Sequence, residues 1–157
     1  MDTLSLDGRT FELVRASEAD VPAIVALLTD DDIGGSRESR DLTPYLEAFR
    51  EVHATEAHLL LVVRDETGDA VGTLQLTLVP GLSRGGAKRL VIEGVRVAPA
   101  TRGSGLGTAL MRWAQAWGAR NGATIAQLTS DKRRVDAHRF YVSLGYEPSH
   151  EGFKLEL

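Results

Sequence analysis

The chain has 157 residues, 43% of them hydrophobic and 25% charged, which is the composition of an ordinary globular protein with room for a real core. Eighteen basic residues against twenty-two acidic ones leave a net charge of −4, so a general nucleic-acid binder, which carries a basic surplus, is disfavoured. There is no cysteine, which excludes disulfides, thiolate metal sites and a covalent acyl-cysteine route.

The N-terminal stretch Met1 to Gly8 has neither a basic flank nor an apolar run, so it does not read as a signal peptide. Phe11 to Val14 reads as a short first strand. Ser17 with Asp20 three positions on resembles a capping box, and Ile24, Leu27 and Leu28 follow at helical spacing. Asp30 to Gly35 is an acidic, glycine-rich loop, and Thr43-Pro44 opens a second helix with Leu46 and Phe49 on one face. Ala57 to Arg64 is an apolar strand whose core, Leu59 to Val63, is the longest strongly apolar run and far too short to span a bilayer. No membrane association is therefore expected, and a cytoplasmic location is the default expectation.

A turn over Asp65 to Asp69 leads into Ala70 to Val79, which alternates with period two. Pro80 to Ala87 is a glycine-rich loop, and Arg89 to Val97 is the next strand. The period then changes: Leu106, Leu110, Trp113 and Trp117 mark an amphipathic helix that ends near Asn121-Gly122. Thr124 to Leu128 is a buried-type strand, and Ala137, Phe140, Tyr141 and Leu144 mark a last helix stopped by Gly145. Tyr146 to Leu157 is expected to hold one or two closing strands. The whole of 1–157 reads as a single α/β domain, a mixed sheet with helices on both faces.

Between the strand ending at Val97 and the helix beginning near Leu106 lies Arg102-Gly103-Ser104-Gly105-Leu106-Gly107-Thr108. Glycines at alternate positions let a backbone approach a ligand closely, and the helix N-terminus that follows offers free N–H groups and a favourable dipole to an anion. Arg102 can add charge-assisted hydrogen bonds. A nucleotide P-loop would need a lysine before Thr108, and a dinucleotide fingerprint would need wider glycine spacing and an acidic residue at the end of the next strand. A glycine-rich turn without a ligand is the remaining alternative.

The run Arg102 to Gly107 resembles the Q/R-x-x-G-x-G/A signature of the GNAT superfamily of N-acetyltransferases, and Ala137 to Tyr146 resembles that superfamily's A-x-x-F-Y-x-x-x-G-F segment. The resemblance implies a GNAT-like, mostly antiparallel sheet and a co-substrate, acetyl-coenzyme A. The pyrophosphate would lie on the backbone of Gly103, Ser104, Gly105, Leu106, Gly107 and Thr108, with Arg102 at the mouth. The pantetheine arm would pair with the strand at Val95, Arg96 and Val97. Tyr141 would stand near the thioester sulfur as general acid; the alternative is a core aromatic, because Phe140, Tyr141 and Leu144 also form an apolar stripe. Glu93 would be the base or water-positioning group, partly desolvated among Leu90, Val91, Ile92 and Val95; the alternative is a rim ion pair with Arg89 or Arg96. Where some relatives carry a second acidic residue, this chain has Gly94.

Lys132, Arg133 and Arg134 form a basic cluster that could meet the coenzyme's 3′-phosphate. None of the four histidines, His53, His58, His138 and His150, has metal-ligand spacing, and no metal is expected. The implied reaction is direct acetyl transfer to a primary amine, small-molecule or peptide, in a ternary complex. A non-catalytic acyl-coenzyme A sensor of the same fold is the alternative. Asp30 to Asp32 would suit a cationic acceptor, whereas Arg37, Arg84 and Arg96 would suit an anionic one. Many GNAT proteins are dimers, so the resemblance also allows a homodimer.

Overall fold

Asp7 and Gly8 both have positive φ, 48° and 78°, the backbone of a two-residue hairpin turn that favours Asp-Gly. They join β1 (Asp2–Leu6) to β2 (Arg9–Arg15), with Leu6 facing Arg9 across the turn. The chain therefore begins with a hairpin rather than the lone strand expected at Phe11 to Val14. The computed structural model describes residues 2–30 and 32–157.

After β2, Ser17 donates from its backbone N–H and its hydroxyl to Asp20 Oδ2, each at 2.8 Å, so the expected capping contact is present. Asp20 is buried and also receives a hydrogen bond from the Arg64 guanidinium. A buried carboxylate is tolerable when satisfied in this way. Helix α1 (Val21–Thr29) follows, then the single turn α2 (Asp32–Gly35) within the expected acidic loop, then α3 (Thr43–His53). Strands β3 (His58–Arg64) and β4 (Ala70–Val79) are joined by the expected turn, with Gly68 at φ 87°. A distorted turn, α4 (Ser83–Gly86), precedes β5 (Arg89–Val97). Helix α5 (Leu106–Arg120), β6 (Ile125–Leu128) and α6 (Val135–Ser143) complete the elements.

The strands form one six-stranded sheet in the order β1-β2-β3-β4-β5-β6. Every neighbouring pair is antiparallel except β5 with β6, which are parallel. Successive residues of a strand point to opposite faces, and the two faces are covered differently. Leu61, Leu74, Leu76, Leu90 and Ile92 pack against Leu106, Leu110, Met111 and Ala114 of α5 on one face. Leu60 packs with Val21, Ile24 and Val25 of α1 and Phe49 of α3 on the other. The expected mixed sheet with helices on both faces is therefore present.

The closing strands expected in Tyr146 to Leu157 are not: no residue of that stretch is in a strand. Phe153, Leu155 and Leu157 alternate as a strand would, yet all three are exposed. Period two gives a segment a potential apolar face, but a strand also needs a neighbour to pair with, and among the described residues the tail pairs with none.

Candidate active site

The site is built where β5 outruns β6. Their parallel pairing covers Arg89 to Ile92 and ends at Ile92 opposite Leu128. Glu93 to Val97 therefore continue beyond the end of their neighbour on that side. On the other side, β5 carries a bulge against β4: Gln75 faces Glu93 and Thr73 faces Arg96, so Leu74 alone spans Gly94 and Val95. Gly94 sits at φ 60°, a conformation glycine adopts without strain. The extra residue shifts the alternation by one. Before the bulge Leu90 and Ile92 face α5; after it Val95 and Val97 do. Without it, Gly94 and Arg96 would point into that core.

Glu93 lies beside the bulge and is exposed. The partial desolvation expected for it is absent: Glu93 still pairs in register with Gln75 and alternates with the core residue Ile92, so it lies on the strand face away from α5, where it is exposed. Nor does it form the alternative rim ion pair; among the described residues no salt bridge involves it. A Cβ built on the adjacent Gly94 would lie 3.8 Å from Leu28 Cδ2, so this stretch of β5 looks toward α1.

Beyond Val97 the chain makes a short 3-10 turn, Pro99–Thr101, and then the glycine loop. Gly103 and Gly105 have φ 79° and 81°, and a Cβ on either would meet no atom within 4 Å. These glycines answer a backbone requirement and leave open space above the loop, as a bulky anion lying on it would need. Gly107 differs: it lies inside α5, and a Cβ there would touch Phe140 at 3.5 Å in ordinary contact. Gly105→Ala should thus cost about 1 kcal/mol of stability through its left-handed backbone. Gly107→Ala should be neutral or slightly stabilising, by the helix propensity of alanine. Thermal melting compares the two directly, and equal midpoints would show that the positive φ is not required.

Arg102 stands at the entrance to this loop. Its Nε donates to Val97 O at 3.3 Å and its terminal nitrogen donates to Asp30 Oδ2 at 2.6 Å. On the far side, in the loop after β6, Asp131 accepts from Arg37 at 2.6 Å and from Arg133 at 2.9 Å. The Arg133 guanidinium, its backbone N–H and Arg37 hold the Asp131 carboxyl well below the usual carboxylate range. His138 bonds the Asp131 carbonyl through Nε2 at 2.9 Å. The expected basic cluster is therefore dispersed: Lys132 pairs with Glu151 at 2.9 Å, Arg133 with Asp131, and Arg134 begins α6 beside Tyr141. Of the other expected acceptor contacts, Arg37 is committed to Asp131, and Arg84 is exposed in α4. Asp31 lies outside the described residues.

Tyr141 is half-buried on α6, with its ring tilted against Phe140 at 5.4 Å and edge-on to Tyr146 at 6.0 Å. Burial pushes its phenol above the ordinary tyrosine range; the Arg96 charge opposes this, Tyr146 adds to it and Arg134 opposes it again. The ring packs against the α5-side core, as the core-aromatic reading expects, and the phenol lies within the fields of two guanidinium groups. Among the described residues no group of histidines and carboxylates is arranged to hold a metal, and no helix is long and apolar enough to cross a membrane.

A mixed α/β sheet that opens between two parallel strands, beside a glycine loop running into a helix N-terminus, defines the class of protein. The model of the acetyltransferase (GNAT) family matches residues 22–146. An aminoalkylphosphonate N-acetyltransferase of Salmonella typhimurium is 33% identical over 112 residues, covering 68% of this chain and 71% of its own. Among solved structures, a transcriptional regulator from Bacillus halodurans C-125 superposes with a TM-score of 0.88 at 38% identity, over 94% of this chain and 99% of its own. A Trypanosoma brucei acetyltransferase gives 0.75 at 26% identity, over the same shares of 94% and 99%. The chain belongs to the GNAT family of acetyltransferases.

Proposed function

We propose that this protein transfers the acetyl group of acetyl-coenzyme A directly to a primary amine in a ternary complex. The observation that carries the proposal is the pair of positive-φ glycines, Gly103 and Gly105, which open a loop to solvent at the N-terminus of α5. In this reading the pyrophosphate lies on the N–H groups of Gly103 to Thr108 with Arg102 beside it. Val95, Arg96 and Val97, running past the end of β6, offer backbone to the pantetheine arm as an added strand would. The bound thioester supplies the acetyl group and a thiol leaving group.

Tyr141 acts on that leaving sulfur. Its raised phenol keeps its proton at neutral pH, so it is always able to donate. A thiol near pKa 8.5 is more acidic than such a phenol, so the contribution is a hydrogen bond that tightens as charge develops on sulfur rather than a downhill proton transfer. Arg96 and Arg134 favour the same developing charge. Glu93, exposed beside the bulge, takes the proton of the attacking amine directly or through one water.

For the acceptor, the Salmonella typhimurium relative supports small amines of the aminoalkylphosphonate type. The test is calorimetry with coenzyme A, followed by thiol release from acetyl-coenzyme A with a panel of aminoalkylphosphonates, aminoglycosides and peptide N-termini. Micromolar binding and amine-dependent release are expected; no binding at millimolar coenzyme would sink the proposal. Similarity to a protein named a transcriptional regulator favours, as a second reading, an acyl-coenzyme A-binding module. Binding without release across the panel would select it.

A further inference from the structure

Among the described residues, the large hydrophobic side chains left exposed are Leu82, Val135, Val142, Phe153, Leu155 and Leu157. Only the first precedes β6, so the uncovered apolar surface gathers in the part of the chain that follows that strand. Val135 and Val142 stand two helical turns apart on one face of α6. Phe153, Leu155 and Leu157 alternate with Lys154 and Glu156, the period of a strand with one apolar face. That stretch is in no strand, and Phe153 is 94% exposed.

The complementary element is β6. It ends the sheet, with a strand on one side only, so a row of its backbone groups lacks a ladder partner. Open edges are ordinarily blunted by charge, proline, a bulge or short length, and Ile125-Ala126-Gln127-Leu128 has only its short length. The other edge strand, β1, carries the charged Asp2 and lies at the far end of the sheet. Between α5 and β6 is a groove of about 180 Å³ whose lining includes Gly118, Ala119, Ala123 and Ala126, all small. Ala126 and Leu128 pack toward α5. A strand laid outside β6 would put every second side chain on that same side.

The tail starts next to this edge. Tyr146 accepts a hydrogen bond at 3.3 Å from Gln115, another residue of the groove, and Glu151 pairs at 2.9 Å with Lys132 of the loop after β6. Beyond Glu151 the chain leaves its own edge strand unpaired. A segment with a strand's period and an open strand edge thus stand side by side in one chain, each lacking what the other supplies. A twofold pair satisfies both of them twice, because a self-complementary contact is made reciprocally.

We propose that residues 152–157 of one copy add as a strand to β6 of a second copy, and the reverse, making a twofold dimer. Phe153, Leu155 and Leu157 then lie on the α5 side beside the groove, and Lys154 and Glu156 stay on the outer side with Gln127. Resemblance to GNAT proteins allows a dimer; what is new is the segment that makes it and the edge that receives it. The pairing needs no coenzyme and stands apart from the reading of the glycine loop.

Because the chain has no cysteine, introduced thiols report on this pairing without background. Light scattering on the whole chain at micromolar concentration should give twice the monomer mass of 17.0 kDa. Deletion of residues 152–157 should give a monomer that still melts cooperatively, since the apolar side chains removed are not packed in their own chain. Gln127→Cys and Lys154→Cys, made as separate variants, should form a disulfide-linked pair when mixed, allowed to exchange and oxidised; neither should couple alone. Glu156→Cys in place of Lys154→Cys covers the neighbouring register. A monomeric whole chain, or a dimer that survives the deletion, overturns the proposal. Coupling of Lys154→Cys to itself overturns it too, because the tails would then pair with each other. In the Gln127→Cys, Lys154→Cys double variant, a disulfide closed within one chain would mean that the tail completes its own sheet, and that also overturns it. Should the deletion fail to fold, the mixed cross-link decides alone: no linked pair in either register ends the proposal.

Discussion

Replacing Tyr141 with Phe should lower kcat for amine-dependent thiol release by about a hundredfold, the lower end of what a positioned donor contributes, and leave coenzyme A affinity unchanged. The substitution keeps the ring, so its contacts with Phe140 and Tyr146 survive and the α5-side core is not opened. Only the hydroxyl is lost. In the ground state the thioester sulfur carries little charge and gains little from that hydroxyl; in the transition state it carries much of the departing electron pair. The cost therefore falls on kcat and not on binding. The pH profile supplies an independent check. Burial and Tyr146 raise the phenol against the opposition of Arg96 and Arg134, so the wild-type rate should fall only above about pH 10, and Tyr141→Phe should lack that alkaline fall. Tyr146→Phe is the control: its phenol is also pushed up by burial, with the Gln115 amide opposing at 3.3 Å, but it is assigned no step and should leave kcat within about twofold. An unchanged rate in Tyr141→Phe would reduce that tyrosine to a packing residue.

Local signals in the sequence carried far where they were dense. The alternation over Ala70 to Val79 and the apolar strand Arg89 to Val97 match β4 and β5 residue for residue, and the Leu106–Trp117 stripe lies within α5. The glycine loop was legible because two of its glycines answer a backbone requirement that no other residue meets without strain. The bulge, too, has a local sign in the sequence. In Leu90, Ile92, Val95 and Val97 the apolar period slips by one across Gly94, and a glycine inside a strand is the ordinary sign of such a slip. The opening hairpin was likewise announced by Asp7-Gly8, flanked by alternating residues.

Other features could not be read locally. Asp30 with Arg102, and Asp131 with Arg37, join residues far apart in the chain; charge identity fixes sign, and only the fold fixes partner. Glu93 looked desolvated because its sequence neighbours are apolar, yet a strand residue's environment is set by the face it occupies, and Glu93 alternates with the core residue Ile92 and so lies on the face away from α5. The tail shows the converse. Phe153, Leu155 and Leu157 have the right period, but a strand exists only with a neighbour.

The largest stability effect is expected at Gly118, a position that ties the fold to the site. Gly118 is buried on α5 against Leu90 of β5, and a Cβ there would come within 2.7 Å of Leu90 Cδ2 and 3.2 Å of Leu90 Cβ. The first contact is with the free end of a side chain, but Leu90 is only 1% exposed and packed within the α5-side core, so it has little room to swing away. Alanine would regain roughly 1 kcal/mol of helix propensity and so partly offset the crowding. Valine adds two branches to the same clash and less propensity, so Gly118→Val should cost about 3 kcal/mol, the upper range for overpacking a dense core. For a chain of this size that lowers the melting midpoint by about 8 °C. Because α5 carries the glycine loop at its N-terminus and rests on β5, pushing the two apart should also move the loop relative to Val95 and Val97, and coenzyme affinity should fall with stability. Trimming the opposing side chain tests the cause: in the Gly118→Val, Leu90→Ala double variant the two losses should be clearly less than additive, because each removes part of the other's penalty. Additive losses would mean that α5 accommodates the valine elsewhere and that Gly118 does not set the distance between helix and sheet.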